Sequence, residues 1–212
     1  MSQQVIKVTG TGKMSVAPDQ ICLTFSLEDT VGSYEKAVKM SVKKTQELKN
    51  CLVSLNFKES DLKTLSFYVN TNFDQEDRKK IVSYSFVHRM KLVFDRDEEQ
   101  LSKILEAVSN SETKATFQIE YLLKNPEEIK SQLIEQAVKD SKRKAEVLAL
   151  AAEVKLGNIV EINYSWDQIE LYSRPMSHSL AVPAFLSKKS FNIEPEEISI
   201  SDTVTVVWEI ER

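Results

Sequence analysis

The strongest constraint in this sequence is a set of long segments in which apolar and polar residues alternate. In the segment 82–94 every second position belongs to one row: Val82, Tyr84, Phe86, His88, Met90, Leu92 and Phe94. The segment 198–210 alternates in the same way, and only Asp202 interrupts its apolar row, so we expect a bulge to turn that side chain outward. A period of two is typical of strands with one buried face. The chain must therefore build sheets that are covered on one side.

Shorter alternating segments predict further strands, at 4–16, 20–28, 64–71, 115–122 and 159–164. The short link Ala17-Pro18-Asp19 predicts a hairpin between the first two strands. The polar tip NFDQEDRKK predicts a second hairpin, between the third strand and the strand at 82–94. Hairpins favour antiparallel sheets.

Amphipathic segments predict three helices, at 33–55, 97–110 and 126–153. Ser33 is a good N-cap for the first helix, with Val38, Leu48, Leu52 and Leu55 in its buried stripe. Asn125 and Pro126 mark the start of the third, with Ile129, Leu133, Ala137, Ala145, Leu148 and Ala152 toward the core, and Gly157 marks its exit. The predicted order is ββ-α-ββ-α-β-α-β-loop-β. This order predicts an α+β fold with largely antiparallel sheets and long helices packed on one face, in a single domain over 1–212 with an irregular excursion at about 167–196.

The first strand carries Gly10 and Gly12 in its apolar row. A phosphate-binding loop would need such glycines to lead directly into a helix N-terminus, and here they lead into more strand. Glycine buries no side chain. We therefore expect either close approach of another element or a bulge at this point.

The charge balance argues against a nucleic-acid partner. The chain has 28 basic and 32 acidic residues and a net charge of −4, whereas phosphate contacts usually require a basic excess. Its densest basic run, Lys139–Lys144, is interpreted as a solvated helix face, with a phosphate-binding patch as the alternative. No apolar run is long enough to span a bilayer and no signal peptide is evident, so a cytoplasmic location is expected.

The residue types that carry catalysis or bind metals are sparse. The sequence contains no H-x-x-x-H, C-x-x-C or G-x-S-x-G pattern. The acidic tip with Asp74, Glu76 and Asp77 is interpreted as a solvated turn and not as a calcium loop. We predict no catalytic, cofactor or metal residue. His88 and Cys22 are the best candidates if the chain is an enzyme after all.

Two alternatives to an enzyme remain. A small-ligand module would use a pocket lined by Tyr84, Phe86 and Trp208. An interaction protein would use the proline-containing excursion, where apolar residues follow no period. Its candidate interaction residues are Leu171, Tyr172, Met176, Leu180, Val182, Phe185 and Leu186, and packing on their own domain is the competing interpretation.

Four segments resemble those of a known family. The opening VTGTGKMSVAPDQICLTFSLE (8–28) resembles the first hairpin of the SIMPL family, and IVSYSF (81–86) its central strand. The stretch AVKDSKRKAEVLALAAEVKLGNIVEI (137–162) is similar to that family's long helix, with its D-A-x-x-K-A-x-x-L-A pattern, although Ser141 stands where alanine is usual. The close PEEISISDTVTVVWEI (195–210) resembles its last strand, with Asp202 in place of a small residue.

This resemblance implies an α+β fold and an interaction protein. Bacterial members of the family assemble into large oligomers or are linked with oxidative-stress defence, and an animal member is an intracellular kinase-binding adaptor. The family supplies no catalytic residue to carry over. We therefore expect a homo-oligomeric scaffold or protein-interaction domain, with an unidentified protein partner and a possible link to the stress response.

Overall fold

The computed structural model describes residues 4–165 and 195–211. Its strands are β1 (Val5–Val16), β2 (Gln20–Val31), β3 (Lys63–Phe73), β4 (Ile81–Asp95), β5 (Thr116–Leu122), β6 (Lys155–Asn163) and β7 (Ile198–Glu211). Its helices are α1 (Tyr34–Val53), α2 (Glu98–Ser109) and α3 (Pro126–Ala151), with a short 3-10 turn at Glu59–Asp61. The predicted α+β class and antiparallel pairing are confirmed. The candidate interaction residues from Leu171 to Leu186 lie outside the described residues.

The described chain divides into two compact units that are interleaved in sequence. Unit 1 contains residues 4–18, 123–165 and 195–211, and unit 2 contains residues 19–122. Each unit has its own antiparallel sheet and its own core.

Unit 2 is a four-stranded sheet in the order β3-β4-β2-β5, with α1 and α2 on one face. The predicted β3–β4 hairpin is confirmed. Its fully buried large side chains come from β2, β4, α1 and α2. They are Ile21, Leu23, Phe25, Leu27, Leu48, Phe86, Met90, Leu92, Leu101 and Ile104. Ser33 caps α1 as expected, because its hydroxyl accepts a hydrogen bond from the Lys36 amide.

Unit 1 is a three-stranded sheet in the order β1-β7-β6, with α3 packed on β1 and β7. Val204, Val206 and Trp208 of β7 form its core together with Val8 of β1 and the alanines of α3. A second cluster, around Leu133 and Ile198, extends this core.

The predicted hairpin between β1 and β2 is wrong. β1 pairs with β7 over twelve residues, and β2 pairs with β4 and β5. The tight turns that close two-residue hairpins need positive φ at their central positions, whereas Pro18 fixes φ near −65°. The short link therefore carries the chain from one sheet to the other.

The exit and the buried face of α3 also differ from the prediction. Gly157 lies inside β6 and does not end the helix, which is followed instead by Glu153 at a φ of 55°. Leu148 is 48% exposed and Ala152 is exposed, and Ser141 and Ala149 are buried in their place. Neighbouring contacts explain the change, because the helix packs against a strand backbone that admits only small side chains.

Two local predictions at strand and helix positions are corrected. Asn125 precedes α3 but makes no side-chain capping bond. Asp202 pairs with Gly12 in an unbroken β1–β7 register, so no bulge turns it outward. Its carboxylate accepts a hydrogen bond from the Tyr164 hydroxyl at 2.7 Å, which satisfies the charge in the otherwise apolar row.

Candidate interaction surfaces at the strand edges

Helix α3 lies directly on the backbone of β1. A β-carbon added at Gly10 would be 1.9 Å from the carbonyl oxygen of Ala137 and 2.5 Å from the amide nitrogen of Ser141. One added at Gly12 would be 2.1 Å from the carbonyl oxygen of Leu133. The two glycines therefore serve close approach of another element, which confirms one of the two sequence-based explanations.

The open edge of β1 is covered by side chains of α3. Lys144 Nζ donates to the carbonyl oxygen of Thr9 at 2.9 Å, and the Thr11 amide donates to Asp140 Oδ2 at 2.9 Å. Lys144 and Asp140 form an ion pair at 2.7 Å. Backbone groups two residues apart on a strand point to the same edge. The pair thus occupies the carbonyl and the amide that another strand would use, and we call this arrangement an edge clamp.

The same helix also covers the edge of β1 closer to its C-terminal end. Gln136 Oε1 accepts a hydrogen bond from the Lys13 amide at 3.3 Å. The ammonium of Lys144, the guanidinium of Arg143 and the Thr11 amide hold the pKa of the Asp140 carboxyl well below its usual range. The carboxylate is therefore charged at every pH at which the clamp would be used.

The basic run 139–144 is largely paired with acids. Lys139 bonds Glu135, Lys142 lies 4.0 Å from Glu146, and Arg143 lies 2.7 Å from Asp140. These contacts favour the interpretation as a solvated, ion-paired helix face over a phosphate-binding patch.

Unit 2 carries a second edge clamp. β5 pairs with β2 only as far as Ser26, so within the described residues the edge of β2 that faces β5 has no strand partner beyond that point. Lys44 of α1, which is 6% exposed, donates from Nζ to the carbonyl oxygen of Glu28 at 3.1 Å and pairs with Asp29 at 2.9 Å. Asp29 in turn accepts the Thr30 amide at 2.8 Å. Hydrogen bonding from Lys44 lowers the pKa of Asp29.

The two clamps belong to an internal repeat at an offset of 100 residues. Seven positions of 34–48 carry the same residue in 134–148: Glu35 and Glu135, Ala37 and Ala137, Val38 and Val138, Lys39 and Lys139, Ser41 and Ser141, Lys44 and Lys144, and Leu48 and Leu148. The structures agree: in each helix the glutamate pairs with the lysine four residues later, Glu35 with Lys39 and Glu135 with Lys139. In each helix the serine hydroxyl also donates to the valine carbonyl at 2.8 Å.

The repeat is the sequence signal for both clamps. The identities at an offset of 100 residues align Lys44 with Lys144, and this alignment predicts the same role for both lysines. The two clamps differ in the source of the acid. α1 has Met40 where α3 has Asp140, so in the second clamp the carboxylate comes from Asp29 of strand β2.

Strand β3 differs from these protected edges. It is the terminal strand of the unit 2 sheet, and within the described residues it pairs only with β4. No charged residue and no proline occurs from Thr64 to Phe73, although monomeric proteins commonly place lysine, proline or a bulge on such edges. Register shifts occur only near its two ends, which leaves 66–72 regular.

The β3–β4 hairpin also exposes large apolar side chains. Six of them are between 43% and 50% exposed: Leu65, Phe67, Tyr68, Phe73, Ile81 and Val82. Half of an aromatic side chain corresponds to roughly 100 Å². The hairpin therefore exposes roughly 400–500 Å² of apolar surface, divided between the two faces of β3 because Phe67 and Tyr68 are neighbours in a regular strand.

His88 lies where β3, β4 and α1 meet. Thr45 Oγ1 donates to the Ser41 carbonyl, so it must accept from His88 Nδ1 at 2.9 Å. His88 Nε2 then accepts from Thr64 Oγ1 at 3.0 Å, and Phe67 packs edge-on against the ring at 5.3 Å. Burial, with a smaller contribution from a nearby lysine, lowers the pKa of His88. The geometry fits a hydrogen-bonded structural histidine on the interior strand β4, because hydroxyls occupy both ring nitrogens.

The cysteines are poor nucleophiles. Cys22 is 5% exposed on β2, and Cys51 is partly buried on α1. Burial raises the pKa of both thiols, and a reactive cysteine needs the opposite shift. The pair His88 and Cys22 therefore receives no support as a catalytic set from their surroundings.

The remaining candidate residues have structural surroundings. Tyr84 and Phe86 belong to the core of unit 2, and Trp208 belongs to the core of unit 1. Asp74 accepts the amides of Glu76 and Asp77 and acts as a turn cap. Among the described residues no group of three or more His, Cys, Asp or Glu side chains is placed to hold a metal.

Comparison with known proteins now identifies the family. A model described as SIMPL, protein of unknown function (DUF541), matches residues 6–208. The chain belongs to the SIMPL family. The match spans both units, from the glycine-bearing β1 to Trp208 of β7. No curated protein matches the chain. None of the helices in residues 4–165 is long and apolar enough to cross a membrane.

Proposed function

We propose that this SIMPL chain works through the surfaces it presents, as a self-assembling scaffold or interaction domain, and not as an enzyme. The observation that carries the proposal is the contrast between strand edges. Lysine–aspartate clamps cover the edge of β1 and the open end of β2, while β3 is long, uncharged after Lys63 and bordered by half-exposed aromatic residues. A free strand edge is a template for pairing with another chain.

The surroundings of the candidate catalytic residues support the same proposal. Both ring nitrogens of His88 are used by threonine hydroxyls, and burial raises the pKa of the Cys22 thiol. General acid–base or nucleophilic chemistry would require one of these groups to be available and activated. A link to oxidative-stress defence and a cytoplasmic location stay predictions, and such a link would run through a partner and not through these thiols.

Light scattering after size-exclusion chromatography tests the proposal. We expect a mass of at least twice the 24.2 kDa of one chain at micromolar concentration. Phe67→Ser removes an apolar side chain from the β3 edge and should shift the mass toward the monomer. Val42→Ser is the matched control, because Val42 is 63% exposed and lies on α1 and not on β3, and it should leave the mass unchanged. A wild-type monomer at these concentrations would overturn the proposal.

A further inference from the structure

The segment 66–72 of β3 is suited to pairing with itself. Its register with β4 is regular over all seven residues, from Ser66 opposite Arg89 to Asn72 opposite Ser83. None of the seven is charged, so no like charges would meet if two copies ran antiparallel. The middle of the segment is Val69.

We propose that two copies of this chain join β3 to β3, antiparallel, about a twofold axis at Val69, and so form one eight-stranded sheet. The proposal rests on the proposed self-assembly and names its contact. An interface of this kind is isologous, because each copy contributes the same strand. The register places Val69 opposite its own copy, Phe67 opposite Thr71, Tyr68 opposite Asn70, and Ser66 opposite Asn72.

The two faces of β3 make this register chemically consistent. Phe67 and Val69 pair with His88 and Phe86, which face the helices of unit 2. The half-exposed Phe67 ring would then cover the threonine methyl of the partner copy on that face. On the opposite face, the Tyr68 ring would lie over the Asn70 side chain of the other copy. At the two ends of the paired segment, Ser66 would meet Asn72.

The area is adequate for a specific pair. The half-exposed apolar side chains of β3 itself, Leu65, Phe67, Tyr68 and Phe73, contribute roughly 700 Å² over two copies. The newly paired strand backbones add to this, and the sum approaches the lower end of the ~1,200–2,000 Å² range of stable interfaces. A second copy is therefore a sufficient occupant of this edge.

Cysteine cross-linking tests the axis. In a Cys51→Ser background, Val69→Cys should form a disulfide-linked dimer with oxidised glutathione, because residues opposite each other lie about 4.5–5.5 Å apart between α-carbons. Thr71→Cys is the control: in this register the two introduced thiols lie about 13 Å apart along the strands and should not link. The native Cys22 is buried in both proteins.

Charged residues introduced at positions 68 and 70 test the register without cysteines. Tyr68 and Asn70 are both exposed and would face each other across the axis. Tyr68→Lys/Asn70→Lys should weaken dimerisation at least about tenfold, since two pairs of like charges meet. Tyr68→Lys/Asn70→Glu should restore it, since both pairs become opposite in charge.

The outcomes separate the two proposals. A wild-type monomer overturns both the pairing and the proposed self-assembly. An oligomer in which Val69→Cys does not link, and in which the two charge variants behave alike, overturns the β3 pairing and leaves self-assembly through another surface. Efficient linking of Thr71→Cys would place the axis elsewhere and refute this register.

Discussion

Replacing Gly10 by alanine should destabilise unit 1 strongly, because the new methyl group has no room. It would lie 1.9 Å from the Ala137 carbonyl oxygen, about 1.5 Å short of ordinary van der Waals contact, and 2.8 Å from the β-carbon of Ser141. The closest obstacles are helix backbone, so no side-chain rotation relieves the clash and α3 must withdraw from β1. Overpacking usually costs about 1–3 kcal/mol. We expect a loss of about 3 kcal/mol, because withdrawal also stretches the edge clamp.

Urea unfolding followed by circular dichroism at 222 nm measures this loss, and the fluorescence of Trp208 reports it locally in a Trp166→Phe background. Gly32→Ala is the control, because nothing lies within 4 Å of the added methyl, and it should change stability by less than about 0.5 kcal/mol. The methyl group of Gly157→Ala in unit 1 would lie 3.0 Å from the β-carbon and 3.3 Å from the carbonyl oxygen of Glu209, so this variant should fall between the two. Equal stabilities for the Gly10 and Gly32 variants would refute the close packing of α3 on β1.

Three further expectations concern individual side chains. Lys144→Met should lower the free energy of unfolding by about 1 kcal/mol, because it removes the hydrogen bond to the Thr9 carbonyl oxygen. Lys142→Met loses only the exposed ion pair with Glu146 at 4.0 Å, so it should leave the free energy unchanged in the same urea titration. The folded pKa of His88 lies below its unfolded value of 6.5, so the histidine adds stability that is complete above pH 6.5 and is lost as pH falls toward the lowered value. His88→Gln should therefore remove that part of the pH dependence of the urea midpoint. An unchanged pH dependence of the midpoint would contradict the burial of His88. Ellman's reagent should label Cys51 faster than Cys22 in the native protein, because Cys22 is the more buried thiol, and the reverse order would show that β2 is not covered as described.

Local patterns were sufficient for most elements of the fold. The alternation at 82–94 predicted β4, Ser33 predicted the start of α1, and Pro126 the start of α3. Each of these signals acts over a few residues through pleat geometry or an unsatisfied backbone amide. Such signals survive in the folded protein because tertiary contacts do not oppose them.

Pairing partners and buried polar groups were harder to predict. The partner of β1 is β7, at the far end of the described chain, and no local signal specifies that choice. The prediction that Leu148 faces the core followed a hydrophobic stripe, but the strand surface beneath α3 accepts small residues such as Ala149. Lys44 was not predicted to be buried, because a buried lysine depends on an acid and a carbonyl supplied by another element.

The candidate interaction surface was also only partly accessible to prediction from sequence. The sequence analysis placed the interaction site in the excursion that includes Leu171–Leu186, which lies outside the described residues, so that prediction stays untested. The β3 edge was missed because its signal is an absence of charge between Thr64 and Phe73, and such an absence has meaning only when the strand is known to be terminal. Topology supplied that knowledge.

The position of β7 in the chain has a consequence for biosynthesis. It is the middle strand of the unit 1 sheet, yet it follows every other described element in the chain. The side chains of Thr9 on β1 and Thr205 on β7 form a hydrogen bond although the two residues are 196 positions apart. As the polypeptide leaves the ribosome, the contiguous residues 19–122 of unit 2 emerge complete long before β7 does. Until then β1 has no partner, and the small-residue side of α3 has no finished sheet to cover. Nascent chains should therefore engage chaperones chiefly through unit 1, and a ribosome stalled before codon 198 should carry a folded unit 2 beside an unfolded unit 1.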